Sequence, residues 1–453
     1  MYQDAAAAAA VLRRTMVLLL FLLTFSLSSF TSVTSECPDK CKCKNKVVKC
    51  DVMELDRIPD RVPPDAEFLD LSFNEIKDIE PKSFTHLTDL KYLDYSMNKI
   101  RDIEPKSFTH LTELKTLILD LNEISNLKNG AFANLSKLRR INLNGNIIEN
   151  IETGVFNNLT SLEILSLEEN QIHKLDLEMF KGPIKLAKLY LSHNMIRNIP
   201  PGIFDSLTSL GRLDLSYNKI GDIEPKLFTH LTELKTLMLK GNEISNLKNG
   251  VFANLSKLQI LSLVRNRIEN IETGVFNNLK SLEILSLEEN QIHKLDLEMF
   301  KGLIKLAKLY LSYNMIRNIP PGIFDSLMSL TLLDLGYNKV RDIKPKLFTN
   351  LTELKTLKLD GNEISNLING VFANLSKLQT LSLVENKIEN IETGVFNNLM
   401  SLESLSLEQN QIHKLDLEMF KGLIKLDTLI LSYNMMRNIP PGIFDSLTSL
   451  SIL

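Results

Sequence analysis

The 453-residue chain contains no tryptophan, only four cysteines and only seven histidines. It has no G-x-S-x-G, no H-E-x-x-H and no G-x-x-x-x-G-K-[ST], so the commonest nucleophile, zinc-hydrolase and phosphate-loop arrangements are missing. No catalytic constellation can be drawn, and the expectation is a protein that is not an enzyme and has no cofactor. Net charge is −3. Leaving out residues 1–35 removes Asp4, Arg13 and Arg14, or +1, and gives −4. That balance offers no electrostatic reason for a nucleic-acid partner. The apolar run Val17–Leu23 is too short to span a bilayer, which takes roughly 20 apolar residues. No membrane span is expected.

What the chain does have is one unit, many times over. Residues 162–180 read LEILSLEENQIHKLDLEMF, the pattern L-x-x-L-x-L-x-x-N-x-I, and recur unchanged at 282–300. Steps of 24 residues from Asn170 land on asparagine sixteen times, from Asn74 to Asn434, without an insertion. Around Leu165 and Leu167 apolar and polar residues alternate, the period of a short strand. One side of that strand faces inward; Glu163, Ile164, Ser166, Glu168 and Glu169 fall on the other side or at its end. A coil this small cannot bury its apolar side alone and must stack on its neighbours.

Asn170 stands where the chain turns inward, and its side chain can both donate to and accept from backbone groups that the turn leaves unpaired. A phenylalanine follows ten residues after each asparagine, from Phe84 to Phe444, so sixteen of the 21 phenylalanines form one internal stack. The Leu, Asn and Phe positions are therefore structural. A 24-residue period with this pattern resembles the leucine-rich-repeat family over about residues 37–453.

Residues 1–35 read as a signal peptide. Arg13 and Arg14 precede the apolar run, and Val33 and Ser35 supply small residues for cleavage before Glu36. Residues 36–65 hold Cys37, Cys41, Cys43 and Cys50, for which three pairings exist. A zinc site fits poorly behind a signal peptide, where thiols are oxidised. The spacing C-P-x₂-C-x-C-x₆-C is similar to the N-terminal cysteine cap of extracellular leucine-rich-repeat proteins. That resemblance implies Cys37–Cys43 and Cys41–Cys50 disulfides. A cap is needed because the first coil exposes an apolar end and an open sheet edge.

Sixteen repeats then occupy 66–449, and residues 450–453 read as the start of a truncated seventeenth. Above the 24-residue period lies one of 120, because Gln171–Phe180 recurs at Gln291–Phe300 and Gln411–Phe420. Ile199–Phe204, IPPGIF, favours extended backbone over helix on the outer side. Pro183 stands where the sister blocks have Leu303 and Leu423, and a local packing defect is expected there. His173, His293 and His413 are copies of one surface position five coils apart. At about 4.8 Å per rung they lie roughly 24 Å from one another, too far to share a metal.

Two sets of surface residues are candidates for function. Asn134, Asn158, Asn254, Asn350 and Asn374 are glycosylation sequons, each twelve residues after a repeat asparagine, so they line one side. On the strand face lie Tyr92, Tyr190, Tyr217, Tyr310, Tyr313, Tyr337 and Tyr433, with Phe68 and Phe73 in the first coil. Tyrosine has high strand propensity and stacks well on neighbouring rungs. Exposed aromatics are also the usual anchors of interfaces. The densest groups, Tyr190/Tyr217 and Tyr310/Tyr313/Tyr337, follow acidic rungs at Glu168/Glu169 and Glu288/Glu289. Tyr190, Tyr217, Glu288, Glu289, Tyr310, Tyr313 and Tyr337 are the expected ligand contacts.

The resemblance implies an α/β solenoid. Its shape would be a curved horseshoe with a parallel β-sheet on the concave side and an irregular or short-helical convex side. It further implies a secreted or cell-surface recognition module whose concave face binds an extracellular protein or glycan. The alternative is a matrix or assembly protein that pairs with its own copy as a homodimer.

Overall fold

The computed structural model describes residues 37–453; the signal-peptide reading of residues 1–35 lies outside them. The molecule is a right-through stack of about sixteen coils, a parallel β-solenoid with almost no helix. Strands β1 (Lys42–Lys44) and β2 (Val47–Lys49) form an antiparallel pair, and β2 runs parallel to β3 (Phe68–Asp70), the strand of the first repeat. From there each repeat contributes one three-residue strand, paired in parallel with the next at a register shift of 24 residues. Ile164–Ser166, for instance, lies between Arg140–Asn142 and Lys188–Tyr190. One 18-stranded sheet results, and it lines the concave side.

Among the described residues the outer side is turns, with one 3-10 helix at Pro81–Phe84 and short strand pairs such as Asn246–Leu247 with Asn270–Ile271. Ile199–Phe204 is extended and then turned, without helix. The expected outer surface is thus its irregular form, not its helical one. Proline pairs and a 24-residue coil leave no length for a helical turn to repeat.

The core is a single column repeated coil by coil. Leu162, Leu165, Leu167 and Ile172 are fully buried, and their counterparts are buried along the array up to the last coil, where Leu431 and Met436 are only partly covered. The phenylalanines stack face to face, with Phe252 and Phe276 centroids 6.1 Å apart and planes within 11°. Tyr95 occupies a leucine position, wholly buried and edge-on to Phe84. Ser166, expected on the open face, is also nearly covered, because Asn142 and Tyr190 flank it on the adjacent strands.

The N-terminal cap is closed by Cys37–Cys43 and Cys41–Cys50 disulfides, the pairing the resemblance implied. Cys50 and Val48 are buried against the first coil, so the apolar end is sealed and β2 satisfies the sheet edge.

Pro183 is buried, and the change it causes is in the backbone. Gly302 and Gly422 take left-handed angles of φ +87° and +90°; Gly182 does not. It closes instead on Asn157, whose carbonyl oxygen would lie 2.2 Å from an added Cβ. Proline also lacks the N–H that Leu303 donates to the Phe300 carbonyl. The coil reroutes around that missing bond.

Candidate binding face

Two columns of side chains carry the residues singled out above. The first is the third strand position: Tyr190 pairs with Ser166 and Asp214, and Tyr310 with Ser286 and Asp334. The second lies just past the strand, one residue before each ladder asparagine, where Tyr217, Tyr313, Tyr337 and Tyr433 stand. The backbone is left-handed at this position in all sixteen coils, with φ +54° at Tyr313 and +51° at Tyr337. A non-glycine residue is strained there in isolation. Here the turn is held from both sides, since Tyr313 N–H donates to the Gly336 carbonyl and Asn314 clamps the loop behind it.

In the second column the rings lie along the solenoid axis. Tyr313 and Tyr337 stack with centroids 4.4 Å apart and planes within 7°, and His193 and Tyr217 do the same at 4.4 Å. The next coil has glycine in each case. A Cβ on Gly361 would come within 2.4 Å of the Tyr337 ring, and one on Gly241 within 2.6 Å of Tyr217. Glycine lets each ring lie flat over the following backbone. Faces are therefore used within the protein, and the Tyr337 and Tyr217 hydroxyls are engaged by Glu385 and Arg265, so it is the ring edges that look outward. Tyr313 remains 53% and Tyr337 40% exposed. The two pairs are copies related by the 120-residue duplication, which brings His193 to Tyr313 and Tyr217 to Tyr337.

The carboxylates behave differently from one another. Glu289 is held by Arg265, Nε to Oε2 2.6 Å, on the exposed rim. Glu288 is half-buried, and its Oε2 is shut off from water without a donor. Burial pushes its carboxyl up to about 7 against a hydrogen bond from its own backbone N–H, with the negative charges of Asp334 and Glu289 adding and Lys240 opposing. Burial likewise raises Asp334, and it raises Asp120 to about 6. Tyr310 lies between Glu288 and Asp334. In the first block Glu168 accepts from Ser192 Oγ at 2.6 Å, and Arg212 reaches Asp214 at 3.4 Å.

The structure thus gathers Glu288, Tyr310 and Asp334 on the sheet and Glu289, Tyr313 and Tyr337 along its rim. Arg212, Arg265, Asp334 and Gly361 were not singled out from the sequence. Aligning the two blocks at an offset of 120 residues, position by position, is the signal that would have found them.

All five sequon asparagines are exposed. Asn134, Asn254 and Asn374 have left-handed backbone at the head of the turn. Among the described residues no helix is long and apolar enough to cross a membrane.

A stack of single-strand coils clamped by an asparagine ladder and sealed by a disulfide cap defines a repeat solenoid with a closed N-terminal end. The leucine rich repeat model matches the chain in eight overlapping segments, 67–124, 112–172, 160–220, 208–268, 256–316, 304–364, 352–412 and 401–453. The chain belongs to the leucine-rich-repeat family. It is similar to decorin of Rattus norvegicus, 43% identical over 56 residues, which is 12% of this chain and 16% of decorin. The match spans about a sixth of that relative's length. Among solved structures it resembles a leucine-rich-repeat protein of Leptospira interrogans, at 26% identity and a TM-score of 0.70 over 89% of this chain and 94% of that one. It shares its fold with Drosophila Toll, solved in complex with Spatzle, at 24% identity and TM-score 0.69 over 83% of this chain and 50% of that one.

Proposed function

We propose that this chain is an extracellular recognition module that binds a protein partner on the concave sheet and its tyrosine-bearing rim. The observation that carries the reading is the exposed Tyr313–Tyr337 stack beside Tyr310, a preordered aromatic group on a rigid sheet. Such a group loses little side-chain entropy on binding, which suits an interface anchor. The disulfide-closed cap suits an oxidising compartment. The exposed sequons fit secretion, with glycans attached away from the sheet. Toll supports the reading as a protein of the same fold that is solved with a protein ligand. On this reading the chain is a scaffold without catalysis, with a cap at 36–65 and repeats at 66–449.

The test is replacement of Tyr310, Tyr313 and Tyr337 together by alanine, measured against a partner captured from secreted proteins. Loss of at least about tenfold in affinity is expected. Unchanged affinity, with loss instead when residues beside Asn254 are altered, sinks the proposal. Light scattering of the mature chain separates a partner of another kind from self-association.

A further inference from the structure

The five-coil duplication places two versions of one constellation on the same sheet. In the first block Glu168, Tyr190 and Asp214 occupy successive coils. The guanidinium of Arg212 joins the last two, with Nη2 3.4 Å from Asp214 Oδ2 and Cζ 5.5 Å from the Tyr190 ring centroid. Asp214 is only 9% exposed beneath it. A shift of 120 residues gives Glu288, Tyr310 and Asp334 in the same register, since Lys188 pairs with Arg212 and Lys308 with Leu332. One member has changed: leucine replaces arginine.

The two blocks also differ in the exposure of the aspartate and in the partners of the glutamate. Asp334 is more open than Asp214, although both accept the backbone N–H two residues on, from Gly336 at 3.0 Å and from Ser216 at 3.1 Å. Glu288 Oε2 has no donor, whereas Glu168 accepts from Ser192 Oγ. The surrounding charges do not fill the gap. Among the described residues neither Lys240 nor Lys358 forms an ion pair with Glu288 or Asp334. Arg265 is engaged by Glu289, and Asp360 accepts from Ser382 Oγ and Val384 N–H. Two desolvated carboxylates flanking a tyrosine are costly to leave without a cation.

We propose that Glu288, Tyr310 and Asp334 form a socket for an arginine side chain of a protein partner, which takes the place that Arg212 holds in the first block. The planar guanidinium can lie against the tyrosine while donating to a carboxylate, which an ammonium cannot do in the same way. Leu332 leaves room for the stem and gives it an apolar wall. This inference rests on the concave face being the binding face and names the chemistry of the group it receives.

The experiment uses the full chain and a fluorescent hexa-arginine peptide, followed by anisotropy. Binding is expected to fall about tenfold in the E288Q/D334N double variant and equally in L332R, which supplies an internal arginine. The matched E168Q/D214N variant, with the same change of charge, is expected to stay within about twofold. Q and N are isosteric replacements, and thermal melting confirms that each variant is folded. Absent binding, an equal loss in both double variants, or equal binding of hexa-lysine overturns the proposal. A partner that binds elsewhere sinks the broader reading and leaves the peptide result intact. Partner binding that needs Tyr313 and Tyr337 but ignores Glu288 and Asp334 sinks only the socket.

Discussion

Asn290 accepts the backbone N–H of Ile268, in the preceding coil, at 3.0 Å. Its amide donates to the carbonyls of Leu263 at 2.9 Å, Leu287 at 3.1 Å and Glu288 at 3.1 Å. One buried side chain thus ties two coils together and closes the turn between them. The same bonds recur one coil earlier and one later, at Asn266 and Asn314. Stability in this fold is a sum of nearest-neighbour links, and the asparagine is the polar half of each link.

Replacing Asn290 by alanine strands the Ile268 N–H and the paired carbonyls inside the core. The expected loss is about 1–3 kcal/mol, the cost of buried groups left unpaired. Glu289→Ala, one residue away, removes only an exposed ion pair and is expected to cost within about 0.5 kcal/mol. Urea denaturation of the two variants checks the contrast, and equal losses would contradict the register.

Gly361 carries two constraints, a left-handed backbone at φ +60° and the Tyr337 ring across its open side. Alanine there adds about 1–2 kcal/mol of backbone strain and must also push the ring away. Gly370→Ala separates the two effects, because φ is +88° there and the nearest atom, Pro345 Cβ, is 3.8 Å away. Both variants should melt lower. Only Gly361→Ala should change the near-ultraviolet circular dichroism, which without tryptophan reports tyrosine and phenylalanine packing.

The fold was legible because each repeat position has one physical job. Sixteen asparagines and sixteen phenylalanines at fixed spacing leave no other solution than stacked coils, and the cysteine spacing pointed to the cap. The site was less legible. Tyr313 and Tyr337 were recognisable as exposed aromatics, but not that Gly361 lets Tyr337 lie along the axis with its face covered. Glu288 and Glu289 looked alike as neighbouring acids. Their difference comes from Arg265, 24 residues upstream, and from burial on the sheet, neither of which a local window contains. Pro183 was visible as an exception, yet its effect falls on Gly182 and Asn157.

The cap predicts a local dependence on oxidation. Cys50 is fully buried and bonded to Cys41, so Cys50→Ala should cost about 2–5 kcal/mol. Protection of the first coil should be lost first, because unfolding from an end breaks one interface per coil. Hydrogen exchange in residues 66–90 should rise while that around Asn290 stays low. Non-reducing peptide mapping should recover Cys37–Cys43 and Cys41–Cys50 from secreted protein, and free thiols would contradict it.

Glu288 sets a pH dependence whose sign follows from its environment. Burial raises its carboxyl to about 7 in the folded protein, against an ordinary value of 4.5. Between those values the folded chain holds a proton that the unfolded chain has released, so stability falls as pH rises through this window. The penalty is complete above about pH 7 and absent below about pH 4. The group is only half-buried, so solvent screens the charge. The expected penalty is accordingly about 1–2 kcal/mol, less than the full shift would imply. Glu288→Gln removes the charge and keeps the shape. The variant should melt above the parent at about pH 8 and with it at about pH 4. Asp120, raised by burial to about 6, adds a similar slope to both proteins and cancels in the difference. The same melting difference at both pH values would show that Glu288 titrates as an ordinary surface acid.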